Sequence, residues 1–122
     1  MGNFDIITNN PAVEGVYPES VKFYDAGVLE IFTIVRDLVH RGAKVISHPL
    51  SGSIKPWETP YKSILVSQPG GKLDFDSLKY IENAIAIMKN RSIVNHVYSV
   101  EVLEDFSVID LDIINSAIES TK

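Results

Sequence analysis

The run His48-Pro49-Leu50-Ser51-Gly52-Ser53-Ile54-Lys55 gathers an imidazole, two hydroxyls, a glycine and an ammonium in one short stretch. Consecutive backbone N–H groups from Leu50 to Ser53, a glycine that tolerates unusual dihedrals, and the Lys55 charge are the parts of an anion cradle for a phosphate or carboxylate. The plainer reading is a Gly-Ser turn stiffened by Pro49 and Pro56. His48 is the only histidine beside hydroxyls at an expected strand end, which makes it the candidate for acid–base work, with Ser51 or Ser53 as the nucleophile of a hydrolase or transferase. That chemistry also needs a carboxylate behind the imidazole, and local spacing does not provide one. The chain carries neither GxxxxGK[ST] nor GxGxxG, so neither nucleotide fingerprint is present. His40 falls at a helix end and His96 in a segment of mixed pattern; scattered histidines with no shared face do not build a zinc site, and no metal or cofactor is expected.

Two further groups carry polar or aromatic potential. Thr8-Asn9-Asn10 ends an apolar run just before Pro11, where the amides can either read a polar ligand or satisfy the local backbone. Trp57 and Tyr61, flanked by Pro56 and Pro60, serve as a lid, as a contact for another protein, or as filling for their own loop. That loop holds three of the chain's six prolines and is longer than the usual connection of about four to six residues, which marks it as either a functional loop or a disordered one.

Elements must position these groups. Phe4–Thr8, Val21–Tyr24, Ala43–Ser47, Ser63–Ser67 and Phe106–Asp110 read as strands, being short, apolar and β-branched. Val28, Phe32, Val35 and Val39 repeat at helical spacing, with Asp25 as a cap and Gly42 placed to adopt the left-handed conformation past the last turn. Leu78, Ile81, Ile85 and Met88 define a second helix, capped by Asp74 or Asp76 and running to about Asn90. Ser92–Leu103 fits no single pattern, and the segment from Leu111 onward reads as a closing helix with Ile114, Ala117 and Ile118 facing inward.

Strands alternating with helices predict a single α/β domain over residues 1–122, a small three-layer sandwich. Near-continuous apolar runs at Ala43–Ser47 and Ser63–Ser67 predict a largely parallel sheet flanked by helices, with at least two of the three strands Phe4–Thr8, Ala43–Ser47 and Ser63–Ser67 as parallel neighbours. Loops at the carboxyl ends of such strands are where ligands bind, so Thr8–Asn10 and His48–Lys55 are expected to meet on one rim.

Composition limits the function classes. The chain has 122 residues, 45% of them hydrophobic and 22% charged, which suits a folded domain. Without cysteine there is no disulfide, no thiolate metal site and no thiol redox chemistry in this chain. A net charge of −5 argues against nucleic acid as the partner. No apolar run reaches the ~18 residues of a membrane span, and the opening MGNFDIITNN lacks the pattern of a secretory leader.

The segments IITNNP at residues 6–11, HPLSGSIKPWETPYKSIL at 48–65, LDFDSLKYIENAI at 73–85 and DFSVIDLDII at 105–114 resemble the GrdX family over nearly the whole chain. Proteins of that family are encoded beside glycine reductase components in anaerobic amino-acid-fermenting bacteria. The resemblance implies a cytoplasmic accessory protein of Stickland-type metabolism and transfers no catalytic residue. Its expected partners are a small anionic metabolite, held by Thr8, Asn9, Asn10, His48, Ser51, Gly52, Ser53 and Lys55, or a glycine reductase component, met by Trp57 and Tyr61. A redox subunit is excluded by the absence of cysteine.

Overall fold

Three strands and four helices make up the computed structural model, which describes residues 4–52, 54–91 and 97–122. They run β1 (Phe4–Thr8), α1 (Pro11–Val16), β2 (Val21–Phe23), α2 (Val28–His40), β3 (Ser63–Ser67), α3 (Phe75–Lys89) and α4 (Val100–Glu119). The sheet order is β2-β1-β3. β1 pairs parallel to β2, with Ile6 opposite Val21, and antiparallel to β3, with Thr8 opposite Ser63 and Phe4 opposite Ser67. The sheet is therefore mixed, not largely parallel. Apolar runs report burial on both faces, which a central antiparallel strand shares with a parallel one.

Alternation along the strands divides the core. Ile7, Ile64 and Val66 pack with Ile31, Phe32, Val35 and Val39 of α2 and with Ile81, Ala84 and Ile85 of α3. Ile6 and Leu65 point the other way, onto Val13 of α1 and Ile114 and Ile118 of α4. Fully burying a side chain of this size contributes roughly 1.5–3 kcal/mol, so these two clusters supply the main favourable term.

Ala43–Ser47 forms no regular strand, contrary to its apolar pattern. It runs antiparallel beside β3 through a single bridge between Val45 and Val66. The N–H groups of both Ile46 and Ser47 donate to the Leu65 carbonyl, the signature of a bulge. Ser67 N donates to Lys44 O at 2.9 Å on the other side of the bridge, and side-chain hydroxyls take further backbone N–H groups. Ser67 Oγ accepts from Lys44 N at 2.7 Å, Ser77 Oγ from Val45 N at 2.8 Å, and Ser47 Oγ from Leu65 N at 2.8 Å.

Phe106–Asp110, expected as a strand, lies inside α4. Leu103, Phe106, Asp110, Ile114 and Ile118 follow one another at three- and four-residue steps along this helix. The carboxylate interrupts that stripe, so the sequence around it imitates strand alternation. Of the unassigned segment, residues 100–103 open α4 with Ser99 as N-cap, and residues 92–96 lie outside the described residues. Helix α1 was not expected. Its signal is the Asn10-Pro11 pair, in which Asn10 caps by accepting from Ala12 N and Pro11 occupies the first turn.

The other ends follow from local chemistry. Asp74 caps α3 by accepting from Ser77, and the Ser77 hydroxyl holds the Asp74 carboxyl below the usual carboxylate range. Helix α2 starts at Gly27, whose N–H donates to Glu30 Oε1, and not at Asp25. At its other end Gly42 donates to Val39 O and Ala43 to Leu38 O, which is a Schellman closure. Gly42 has φ +95, and a Cβ there would lie 2.6 Å from the carbonyl oxygen of Gly70. Gly42→Ala is predicted to cost about 2 kcal/mol, from left-handed strain of roughly 1–3 kcal/mol together with this clash. Urea unfolding checks it, and a variant with the parent midpoint would refute the tight α2 closure.

Candidate functional site

Both expected rim segments leave the sheet at the end where β3 begins. There Thr8 and Ser63, facing the α4 side with Ile6 and Leu65, meet Asp110 of α4. Ser63 donates to Asp110 twice, from N at 3.1 Å and from Oγ at 2.7 Å. Asn10 Nδ2 donates to the same carboxylate at 3.0 Å and to Ser107 O at 2.9 Å. Thr8 and Ser63 hydroxyl oxygens are 2.6 Å apart, and Thr8 Oγ1 accepts from Asn10 N at 2.9 Å. Since Ser63 gives its hydrogen to Asp110, Thr8 gives its own to Ser63, and the relay ends on the carboxylate.

Asn9 fastens the neighbouring loops. Its amide nitrogen donates to Ala26 O at 2.7 Å and Pro60 O at 2.9 Å, while its oxygen accepts from Lys62 N at 2.8 Å. Thr8, Asn9 and Asn10 are buried, with each side chain committed to protein partners.

Lys62 is buried as well, 7% exposed. Its ammonium donates to Ser51 O at 3.3 Å, joining the long loop to the start of β3. A small cavity of about 20 Å³ lies here, lined in part by Ser51, Tyr61, Lys62 and Asp110. Burial holds the Lys62 ammonium below a free lysine's 10.5, and the Asp110 carboxylate works in the opposite direction. Sequence reasoning missed both residues. Asp110 had a legible signal, an acid on an otherwise apolar helical stripe; Lys62 had none, since the residues of α4 that share its cavity are remote in the chain.

The main cleft among those described has about 600 Å³ and opens between the His48 turn and the last turns of α4. Ile46, His48, Ser51 and Gly52 line one side, with Ile113, Ser116, Ser120 and Thr121 on the other. His48 is exposed, its ring 4.9 Å from that of Tyr80, and its Nδ1 accepts from Leu50 N at 3.0 Å. A neutral imidazole held this way carries its proton on Nε2, which makes it a donor there and not the base a serine nucleophile needs. The N–H of Ser51 is occupied too, by His48 O at 3.0 Å. Two donors of the expected cradle therefore serve the turn itself. Gly52 has φ +100, the left-handed backbone that accounts for a glycine here, and it packs on α4 where a Cβ would lie 2.6 Å from the movable Ile113 Cδ1.

The candidate residues are thus divided. His48, Ser51 and Gly52 share the main cleft; Thr8, Asn9 and Asn10 lie in the buried network and do not line it; Ser53 is outside the described residues. Lys55 and Trp57 line a different cleft, and Tyr61 lines the Lys62 cavity. Among the described residues no group of three or more histidines and acids is placed to hold a metal ion, and no helix is long and apolar enough to cross a membrane.

The family model described as GrdX-like protein matches residues 5–119. Comparison with curated proteins and with solved structures gives no match.

Two predictions follow from the buried polar groups. Asp110→Ala deprives two Ser63 donors and one Asn10 donor of their acceptor, at ~1–3 kcal/mol for each group left unsatisfied, and is expected to cost about 3 kcal/mol or more in chemical denaturation. A loss under about 1 kcal/mol would mean that the network is dispensable. For Lys62, the unfolded chain binds the extra proton between the lowered native value and 10.5, so stability rises with pH through that alkaline window. Lys62→Met is expected to lack that rise when unfolding free energies are compared from neutral to alkaline pH. Parallel profiles for parent and variant would contradict it.

Proposed function

Because the chain belongs to the GrdX-like protein family, we propose that it is a cytoplasmic accessory protein of glycine reductase and Stickland-type metabolism that binds a small carboxylate-bearing metabolite between the His48 turn and α4. The observation that carries this reading is the cleft of about 600 Å³, which unites His48, Ser51 and Gly52 with the hydroxyls of α4. Its size suits a metabolite. Its walls differ in electrostatic character. On the turn side the His48 Nε2–H and the Ser51 hydroxyl supply donors for a carboxylate. On the α4 side, Ser120 Oγ donates to Ser116 O and Ala117 O, and Thr121 Oγ1 to Ile118 O, which leaves acceptor lone pairs at the negative end of the helix. A molecule with a carboxylate at one end and an ammonium at the other fits both walls.

The role is non-redox, because the chain has no cysteine. A thermal-shift series with glycine, acetate and acetyl phosphate tests the binding, since a ligand that binds only the native state stabilises it by mass action. Glycine is expected to raise the melting temperature, with a gain of about 2.7 kcal/mol at one hundred times its dissociation constant, and acetate to act more weakly. His48→Ala is expected to reduce the shift while preserving the fold, because its side chain lies at the surface. No shift with any of the three compounds would overturn metabolite binding and turn attention to a reductase component as the occupant of this face.

A further inference from the structure

Gly52 also lines a second cleft, of about 250 Å³, whose other walls are Leu50, Ile54, Lys55, Pro56, Trp57 and Ile87. Lys55 is the one charged residue in that lining. The Lys55 ammonium lies 5.5 Å from the centre of the Trp57 ring, and the Arg91 guanidinium lies 3.7 Å from it. Among the described residues neither cation takes part in an ion pair. On a chain of net charge −5, both cations gather about the one indole ring, Lys55 in the lining and Arg91 beside it, while Glu58 sits in the same turn with its N–H on Lys55 O at 2.9 Å.

We propose that this cleft binds a small carboxylate carrying an apolar chain. The chain packs on Leu50, Ile54, Pro56 and Ile87 against the indole, while the carboxylate meets the Lys55 ammonium at the exposed lip. The division of charge on the protein sets the ligand's polarity: an apolar body alone leaves the cations unused, and a fully hydrophilic anion leaves the apolar wall wet. The volume is metabolite-sized and below the roughly 300–1,000 Å³ of sites for larger ligands. This cleft shares Gly52 with the His48 cleft and no other lining residue, and its ligand is proposed on different side chains.

Trp57 is the single tryptophan of the chain, so its emission reports on this cleft directly. Titrating the full chain with hexanoate is expected to give a saturable change in that emission, and hexanamide, of nearly the same shape without the charge, is expected to bind about five-fold more weakly. Lys55→Met keeps the apolar stem and removes the charge, so it should bring hexanoate to the affinity of hexanamide with an unchanged far-ultraviolet dichroism spectrum. Absence of a saturable change, equal binding of acid and amide, or parental hexanoate affinity in Lys55→Met would each overturn the proposal.

Discussion

The Asp110 carboxylate is the interaction on which the rest of the arrangement depends. It is the acceptor that closes the end of the β1–β3 pairing, reaching the Ser63 backbone and hydroxyl and the Asn10 amide from a helix far along the chain. A buried carboxylate is tolerated where its lone pairs are filled, and here three donors fill them. One of those donors, Asn10, also caps α1, so the start of that helix and the placement of α4 share a side chain.

How much of this was legible in the sequence varied with the kind of signal. Helices α2 and α3 were readable because their apolar stripes are unbroken and their ends carry ordinary punctuation in Gly42 and Asp74. Helix α4 was readable only in its second half, where Ile114, Ala117 and Ile118 restore the stripe that Asp110 breaks. Phe4–Thr8 and Ser63–Ser67 were placed correctly, whereas their relative direction was not. Strand direction depends on how a long connection returns, and the loop from His48 to Lys62 carries the chain back along the same edge it left. Ala43–Ser47 failed for a different reason: its backbone pairing stops at one bridge and a bulge, with the Ser67, Ser77 and Ser47 hydroxyls taking neighbouring N–H groups, and no pattern of apolar residues announces that.

The candidate site shows the same division between local and distant causes. Sequence reasoning found the polar turn from His48 to Lys55 because its residue types are unusual together. It did not see that His48 turns its own acceptor onto the backbone, that Gly52 packs against Ile113, or that the turn has a cleft on each side of its chemistry. The last two depend on elements remote in the chain. The long loop is accordingly neither a simple lid nor a simple turn. Lys62 ties it to the sheet end through Ser51, and Asn9 holds its last residues through the carbonyl of Pro60.

The spacing of these partners also sets the order in which the chain can mature. Thr8 waits for Ser63, 55 residues later, and Asn10 waits for Asp110, 100 residues later. During synthesis the central strand therefore emerges long before either partner exists, and its polar end is completed only when the last helix leaves the ribosome. Contacts this distant delay the entropic return on ordering the strand, which favours late, concerted assembly over stepwise growth from the amino terminus. Until β3 emerges, β1 has one available edge partner, β2, and an open edge on the other side, which is the kind of exposed template that favours association with other chains.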